Sequence, residues 1–430
     1  MCIHKIDFAA KLILWAQEKE VFCFLNHIGI TNQFNDHSGF KGIVGIGKIN
    51  EFRDDLYLKN DFSRLLDFSS TLSDTIMGFL TYDLKNQTEE LYSQNSDGIK
   101  MPLIHFFQPE FTFTFSDANE IEIGYFSDRE SEERVIGLCK KIEAIALDNE
   151  NVETKTVVPL CRVSENEYTE NIKKIMQHIQ LGDVYELNYC IEFFAENVEI
   201  NPVKVYEKLS KISQAPFSCF YKVDNNYLIC ASPERFLKRE GKRIIAQPMK
   251  GTAKRSNIPE EDRQLKEQLF ASEKEQAENV MIVDLMRNDL SKTATKNSVK
   301  VDELFGIYSF PHVHQMISTI SSEMRDDMNI IDVIESAFPM GSMTGAPKVK
   351  AMELIEEFEI TKRGLFSGAV GYITPEKDFD FNVVIRSIQY NADQKYLSFM
   401  VGSAITINSD PEKEYEECLL KAKALIEALS

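Results

Sequence analysis

A lysine set between a proline and a glycine is the first candidate for chemistry in this 430-residue chain. It lies in Gln247-Pro248-Met249-Lys250-Gly251-Thr252-Ala253-Lys254-Arg255, directly after the apolar, strand-forming run Ile244-Ile245-Ala246. Pro248 fixes φ. Gly251 permits a sharp turn and the close approach of a ligand. Between them Lys250 is a candidate nucleophile, provided its amine is neutral for part of the time. Burial or a second cation favours the neutral form, and Lys254 and Arg255 are the cations nearby in sequence. The alternative is an ordinary solvated loop lysine.

Carboxylates make up the second group. Glu234 follows Pro233 at the end of an apolar hairpin. Buried there, it would have a raised pKa and could act as a general acid. An ion pair with Arg235 or plain exposure is the other reading. Glu275 and Glu278 are three residues apart on one helix, so they share a face. Glu414 and Glu417 repeat that spacing on the last helix, with Lys421 four residues on. Acidic residues early in a helix and a lysine late also suit plain helix electrostatics. The functional alternative is that one carboxylate from each helix holds Mg²⁺, which takes few protein carboxylates and leaves room for water and substrate oxygens. Arg386 and Lys421 could then bind substrate carboxylates, with backbone N–H groups from Gly402, Ser403 and Ala404. Gly341 to Lys348 is a glycine-punctuated loop, but alanine after Gly345 breaks the phosphate-loop pattern.

These residues need elements to place them. Alternating or continuous apolar runs predict strands at Val21–Leu25, Gly42–Gly47, Met77–Asp83, Phe111–Phe115 and Ile121–Tyr125. Helical periodicity predicts a helix from Glu130 to Ile145. The acidic, aperiodic stretch Asp148 to Thr156 is the expected boundary between an N-terminal region, 1–150, and a C-terminal region, 160–430. Beyond it, Ser164 and Glu167 form a capping box for a helix that Gly182-Asp183 ends. A strand is expected over Val184–Ala195, a helix over Pro202–Ile212, and a hairpin around Asp224-Asn225-Asn226. One helix is expected over Glu260–Asp289, then helices at Asn329–Ala337, Val349–Phe358 and Pro411–Leu429. The remaining strands are Ser367–Ile373, Phe379–Tyr390 and Tyr396–Val401.

Bulk properties exclude several classes. A net charge of −20 argues against nucleic-acid binding. No apolar stretch approaches the roughly 20 residues that span a bilayer, and Met1 to Lys5 lacks a signal-peptide h-region. The eight cysteines form no CxxC pair, so free thiols in a reducing cytoplasm are expected.

From Ser164 to Leu429 the ordered motifs resemble the chorismate-utilising enzymes. They include Gly182 to Asn188, Ser232-Pro233-Glu234-Arg235-Phe236, Gln247 to Arg255, Ala277-Glu278-Asn279 through Leu290, Gly341 to Lys348, Gly364 to Tyr372, Val384 to Ile388 and Glu414 to Lys421. The N-terminal region matches more loosely, chiefly at Gly78 to Leu84. Periodicity alone says mixed α/β. The resemblance implies two large, mainly antiparallel sheets in a sandwich core flanked by helices. Lysine at 250 resembles the aminodeoxychorismate synthase branch, where the anthranilate synthase branch carries alanine. The resemblance implies that chorismate binds through Mg²⁺, Thr252, Arg386, Lys421 and the Gly402–Ala404 segment. Glu278 and Glu417 would hold the metal, with Glu275 and Glu414 behind them. Lys250 would attack ring carbon C2, Glu234 would protonate the departing C4 hydroxyl, and ammonia would add at C4. No glutaminase G-x-C-x-G motif is present, which implies a separate glutamine amidotransferase subunit as partner. Three positions depart from the family pattern. Glu186 stands where aminating members have glutamine and isochorismate synthases a lysine base. Asn279 and Gln315 each replace a histidine. The Leu-Leu-Glu-Ser signature of tryptophan binding is absent, so tryptophan inhibition is not expected. The alternatives are an anthranilate synthase, an isochorismate or salicylate synthase, and a chorismate-binding subunit without turnover.

Overall fold

The computed structural model describes residues 5–26, 39–116, 120–147 and 156–430. The expected boundary stretch Asp148 to Thr156 lies outside them except for Thr156, as does the N-terminus before Lys5. Two large sheets carry the chain, and every ladder between named strands is antiparallel. The first runs Gly345–Ala346, Glu186–Ala195, Tyr396–Ile405, Ser387–Asn391, Asn226–Ser232, Phe217–Val223, Val21–Asn26, Gly42–Ile46, Phe111–Phe115, Ile121–Tyr125. The second runs Met249–Lys254, Val313–Glu323, Arg243–Gln247, Arg235–Glu240, Phe379–Asn382, Ala369–Ile373, Ile76–Leu80, Ile104–Gln108, Asn50–Asp54. Strands from both sequence regions interleave: Val21–Asn26 pairs with Phe217–Val223, and Ile76–Leu80 with Ala369–Ile373.

The period of two decides what each face buries. In Val21–Asn26, Val21, Cys23 and Leu25 join the core between the sheets, while Phe22 and Phe24 face the core under the helices. That outer core packs helices Glu165–Leu181, Pro202–Ile212 and Pro411–Ala428 onto the first sheet. Among the described residues no helix is long and apolar enough to cross a membrane, and the seven described cysteines are unpaired.

Most expected elements appear within a few residues of their predicted bounds, including the Ser164 capping box. Three differ in ways that matter to the site. The lysine stretch is an edge strand, Met249–Lys254, rather than a loop. Its pairing to Val313–Glu323 slips between Met249 and Thr252, and Gly251 takes φ +86°. This is a bulge, which re-aims a side chain at a sheet edge. The single helix expected over Glu260–Asp289 is two, Pro259–Ala271 and Glu273–Ser291. Ser272 is extended between them and its hydroxyl accepts from the Glu275 N–H, so the second helix starts on its own cap. The single strand expected over Phe379–Tyr390 is also two, Phe379–Asn382 in the second sheet and Ser387–Asn391 in the first. The chain crosses between sheets at Val383–Arg386, with Arg386 at φ +52°.

Candidate functional site

The bulge turns Lys250 toward the first sheet. Its Nζ donates to Glu186 Oε1 at 2.9 Å, joining an edge strand of one sheet to the start of Glu186–Ala195 in the other. Glu186 is fully buried, and its second oxygen, Oε2, is buried without a partner. Desolvation pulls the Lys250 pKa down, but the charges of Glu186 and Glu278 outweigh it, and the net shift is upward. The expected depression of this lysine is therefore not found. Lys254 is exposed. Arg255 is turned away, bound to Asp262 at 2.8 Å and to the Phe310 carbonyl at 2.8 Å. Neither supplies the second cation.

Glu234 behaves as a buried acid should. It is 4% exposed, and burial raises its pKa to about 7, against a hydrogen bond from Ser342 and the charge of Lys250. Arg235, the alternative partner, is engaged elsewhere: it makes a two-pronged contact with Asp380 at 2.8 and 3.0 Å and also binds Gln247. Among the described residues Glu234 thus has no neutralising ion pair, and it lies close enough to Lys250 to shift it.

The two carboxylate helices do come together. Lys274 feels, in order, Glu278, Glu414, Glu275 and Glu417, so all four glutamates share one neighbourhood. Burial pushes Glu278 up to about 7, with Glu275 and Glu186 adding to the effect and Lys250 and Lys274 opposing it. Its nearest cation, Lys274, is 3.8 Å away. Glu417 is held below its ordinary value: burial raises it, but Lys421, bound at 2.6 Å, outweighs that. Glu414 is buried. Glu275 packs on Gly251, where an added Cβ would stand 2.9 Å from its Oε2. Carboxylates alone, one set per helix, suit a hard cation that keeps waters and substrate oxygens. Among the described residues no group of three or more ligating side chains converges on a metal position.

The expected substrate contacts divide. Arg386 is half-buried with no carboxylate in ion-pair reach among the described residues, and burial lowers its pKa against the pull of Glu417. Lys421 donates to the Gly402 carbonyl at 2.8 Å. Among the described residues, Tyr396–Ile405 pairs beyond Ser398 only with the Glu186–Ala195 strand. Gly402 is required there, since a Cβ would meet Cys190 Sγ at 2.4 Å. The Ser403 side chain points the other way, into the helix-covered core, where its hydroxyl meets Tyr168 Oη at 3.0 Å. Thr252 is exposed on the edge strand, paired with the buried Gln315. Asn279 Oδ1 accepts from Ser318 Oγ at 2.5 Å, while its Nδ2 is buried without a partner. Lys348 does not serve a phosphate: it binds Asp289 at 2.6 Å and the Ala337 carbonyl at 3.1 Å. A cavity of about 650 Å³ lined by Asn50, Asp74, Gln108 and Arg129 touches none of these residues.

Sequence reasoning missed the braces. Arg363 is buried, ion-paired to Glu359 at 2.5 Å, and donates to the Met343 carbonyl at 2.7 Å and the Asn188 carbonyl at 2.9 Å. Glu359 also accepts the Cys190 N–H at 3.0 Å. This pair ties the Gly341–Lys348 segment to the strand that carries Glu186. Ser342 is the other missed residue, and only its place in the glycine-punctuated loop pointed to it.

Comparison with known proteins places the chain in a family. The match to the chorismate-binding enzyme family covers residues 17–427. A probable chloroplastic aminodeoxychorismate synthase of Oryza sativa subsp. japonica is 42% identical over 264 residues, 61% of this chain but 29% of its own length. The aminodeoxychorismate synthase component 1 of Bacillus subtilis is 32% identical over 361 residues, 82% of this chain and 76% of that one. Anthranilate synthases also stand among the curated relatives. In fold, the anthranilate synthase component I of Streptococcus pneumoniae superposes with a TM-score of 0.80 at 23% identity, over 93% of this chain and 95% of that one. The sandwich and the family match lead to one conclusion: the chain belongs to the chorismate-binding enzyme family.

Proposed function

We propose that this chain aminates chorismate at C4, giving 4-amino-4-deoxychorismate, the reaction of an aminodeoxychorismate synthase component. The observation that carries this reading is the pairing of a bulge-mounted lysine with a buried acid. Lys250 lies close enough to Glu234 for their charges to interact, and a pKa of about 7 leaves Glu234 protonated in about half the molecules at neutrality. Relatives carrying that name at 42% and 32% identity support it.

Lys250 forms a bond to C2 as the ring double bonds shift, and Glu234 donates its proton to the C4 oxygen, which leaves as water. Ammonia then adds at C4, the double bonds return, and Lys250 departs as the amine. Arg386, which has no ion-pair partner among the described residues, takes a substrate carboxylate, and Lys421 donates to the Gly402 carbonyl. Glu278 and Glu417 would hold Mg²⁺, with Glu275 and Glu414 behind them, and the metal would neutralise substrate carboxylate charge in an acidic protein. The carboxylate-only donor set fits that ion. The component 1 designation of the Bacillus subtilis relative supports a glutamine amidotransferase partner as the ammonia source.

The test is a product assay with chorismate, Mg²⁺ and ammonium, followed by an added aminodeoxychorismate lyase. 4-Aminobenzoate that appears only with lyase is the expected result. Anthranilate instead would make the chain an anthranilate synthase and remove Lys250 as the determinant of position. Lys250→Ala should fold, bind chorismate and lose most turnover.

A further inference from the structure

We infer that Glu186 is the acid–base partner of Lys250, the carboxylate that takes the lysine's proton as the amine attacks and returns it as the amine leaves. This rests on the lysine-adduct reading above.

The geometry leaves one acceptor. An attacking amine must be neutral, yet the carboxylates around Lys250 favour its ammonium form. Those facing it are Glu186 from the first sheet, Glu278 from helix Glu273–Ser291 and Glu234 from the end of the hairpin, and its charge also reaches Glu417 on the last helix. Only Glu186 lies within hydrogen-bond reach, at 2.9 Å; a general base needs that contact. Glu234 is committed as the acid that releases the C4 hydroxyl.

Glu186 also has an oxygen to spare. Lys250 is the only side-chain or backbone donor to its carboxylate among the described residues, and Oε2 has none. A carboxylate locked in the ionised form accepts several N–H groups; this one accepts a single hydrogen bond from the very cation that must lose its proton. The second oxygen is free to carry the proton away from the reacting nitrogen. The backbone is fixed meanwhile: Glu186 pairs with Ala346, and the Tyr185 N–H donates to the Ala346 carbonyl at 2.7 Å.

The protons balance. Lys250 passes one to Glu186 and attacks C2 as the amine; Glu234 gives one to the leaving hydroxyl, which departs as water. Ammonia adds at C4 and the lysine nitrogen leaves C2 as the amine. Glu186 returns its proton to Lys250, and Glu234 recovers one from the new C4 ammonium group. No external oxidant or reductant is needed.

Glu186→Gln keeps a hydrogen-bond acceptor for Lys250 but cannot take a proton. The experiment measures kcat and the chorismate dissociation constant of this variant and of Glu186→Asp across the neutral-to-alkaline range, with the lysine adduct followed by mass spectrometry and Lys250→Ala as the reference. Glu186→Gln should bind chorismate with unchanged affinity and lose about 100-fold or more in kcat at neutral pH. It should recover as pH rises, because Lys250 must then discharge its proton to water. Glu186→Asp should keep the wild-type pH profile at a lower kcat. A Glu186→Gln profile parallel to wild type, whether undiminished or lowered equally at every pH, would make Glu186 a structural partner only. If the glutamine variant does not fold, an undiminished kcat in Glu186→Asp overturns the proposal, since proton transfer is sensitive to that withdrawal. Full turnover in Lys250→Ala would instead remove the adduct itself, an outcome distinct from failure at Glu186 alone.

Discussion

Lys250 and Glu234 depend on opposite electrostatics within one cleft. The lysine meets anions, which favour its charged form; the acid is buried, which favours its neutral form. The neutral form has a cost that can be measured. The pKa of Glu234 is about 7 in the folded chain and near 4.5 in the unfolded one. Between those values the folded chain keeps a proton that the unfolded chain has lost. Stability therefore falls as pH rises through that window and levels off above about 7. The difference is worth at most about 3 kcal/mol. Glu234→Gln, which stays neutral, should gain that amount relative to wild type between about pH 5 and about pH 8. Thermal melts at both values would show it, and an identical melting difference at both would mean that Glu234 is not a buried acid. The same substitution should lower kcat by about 100-fold or more. Glu278, with a pKa also near 7, makes the complementary case. A metal must displace its proton, so Mg²⁺ affinity should climb with pH up to about 7 and then flatten. Titration calorimetry that gave a flat profile would place the metal away from Glu278. At this scale the sequence was informative: Lys250, Glu234 and the carboxylate pairs were legible from type and spacing. The upward shift of Lys250 was not, because its cause, Glu186, lies 64 residues away in the other sheet.

Elements decide where these residues point, and here local sequence told less. The periodic segment Glu260–Asp289 reads as one helix, since Ser272 is a tolerable helix residue. Its worth as an N-cap appears only when the preceding helix is seen to end beside it. The cap starts the turn that carries Glu275 and Glu278. Ser272→Ala should cost about 1 kcal/mol and weaken Mg²⁺ binding with it; a lower melting temperature with unaltered metal affinity would uncouple the cap from the site. Likewise Phe379–Tyr390 is apolar enough for one long strand. Only the demand of two sheets for one strand each explains the break that leaves Arg386 in the crossing. The Arg363–Glu359 pair braces the walls from below. Removing one member leaves a buried charge without its partner, which typically costs about 3–5 kcal/mol. Arg363→Ala should therefore destabilise far more than Arg287→Ala, an exposed arginine paired to Asp284 on its own helix. Denaturant midpoints compare the two directly, and equal losses would show that the brace carries no special weight.

In the whole molecule, the two regions read along the chain, 1–150 and 160–430, share both sheets. The aperiodic acidic stretch between them is a boundary in composition, and nothing in local pattern reveals that the strands on either side of it pair with one another. Val21–Asn26 lies between Phe217–Val223 and Gly42–Ile46, and Ile76–Leu80 lies between Ala369–Ile373 and Ile104–Gln108. The N-terminal strands supply Val21, Cys23, Leu25, Met77, Phe79 and Phe107 to the core between the sheets, facing Phe217, Cys219, Tyr221, Val370 and Tyr372. Every candidate catalytic residue lies in the C-terminal region, yet the frame that holds Glu186 against Lys250 consists of two sheets completed by the N-terminal strands. A fragment of residues 160–430 would expose two long, apolar strand edges, at Phe217–Val223 and Ala369–Ile373, which invite pairing with other chains. It would also uncover half of the inter-sheet core. The fragment should therefore associate or lose fixed tertiary packing, with weak near-ultraviolet circular dichroism and no cooperative melt, and should show no amination with chorismate and ammonium. Co-expression with residues 1–150 should restore both signals, because the missing strands can pair in trans along the same ladders. A fragment that melts cooperatively and turns over alone would show that the C-terminal strands close a core of their own.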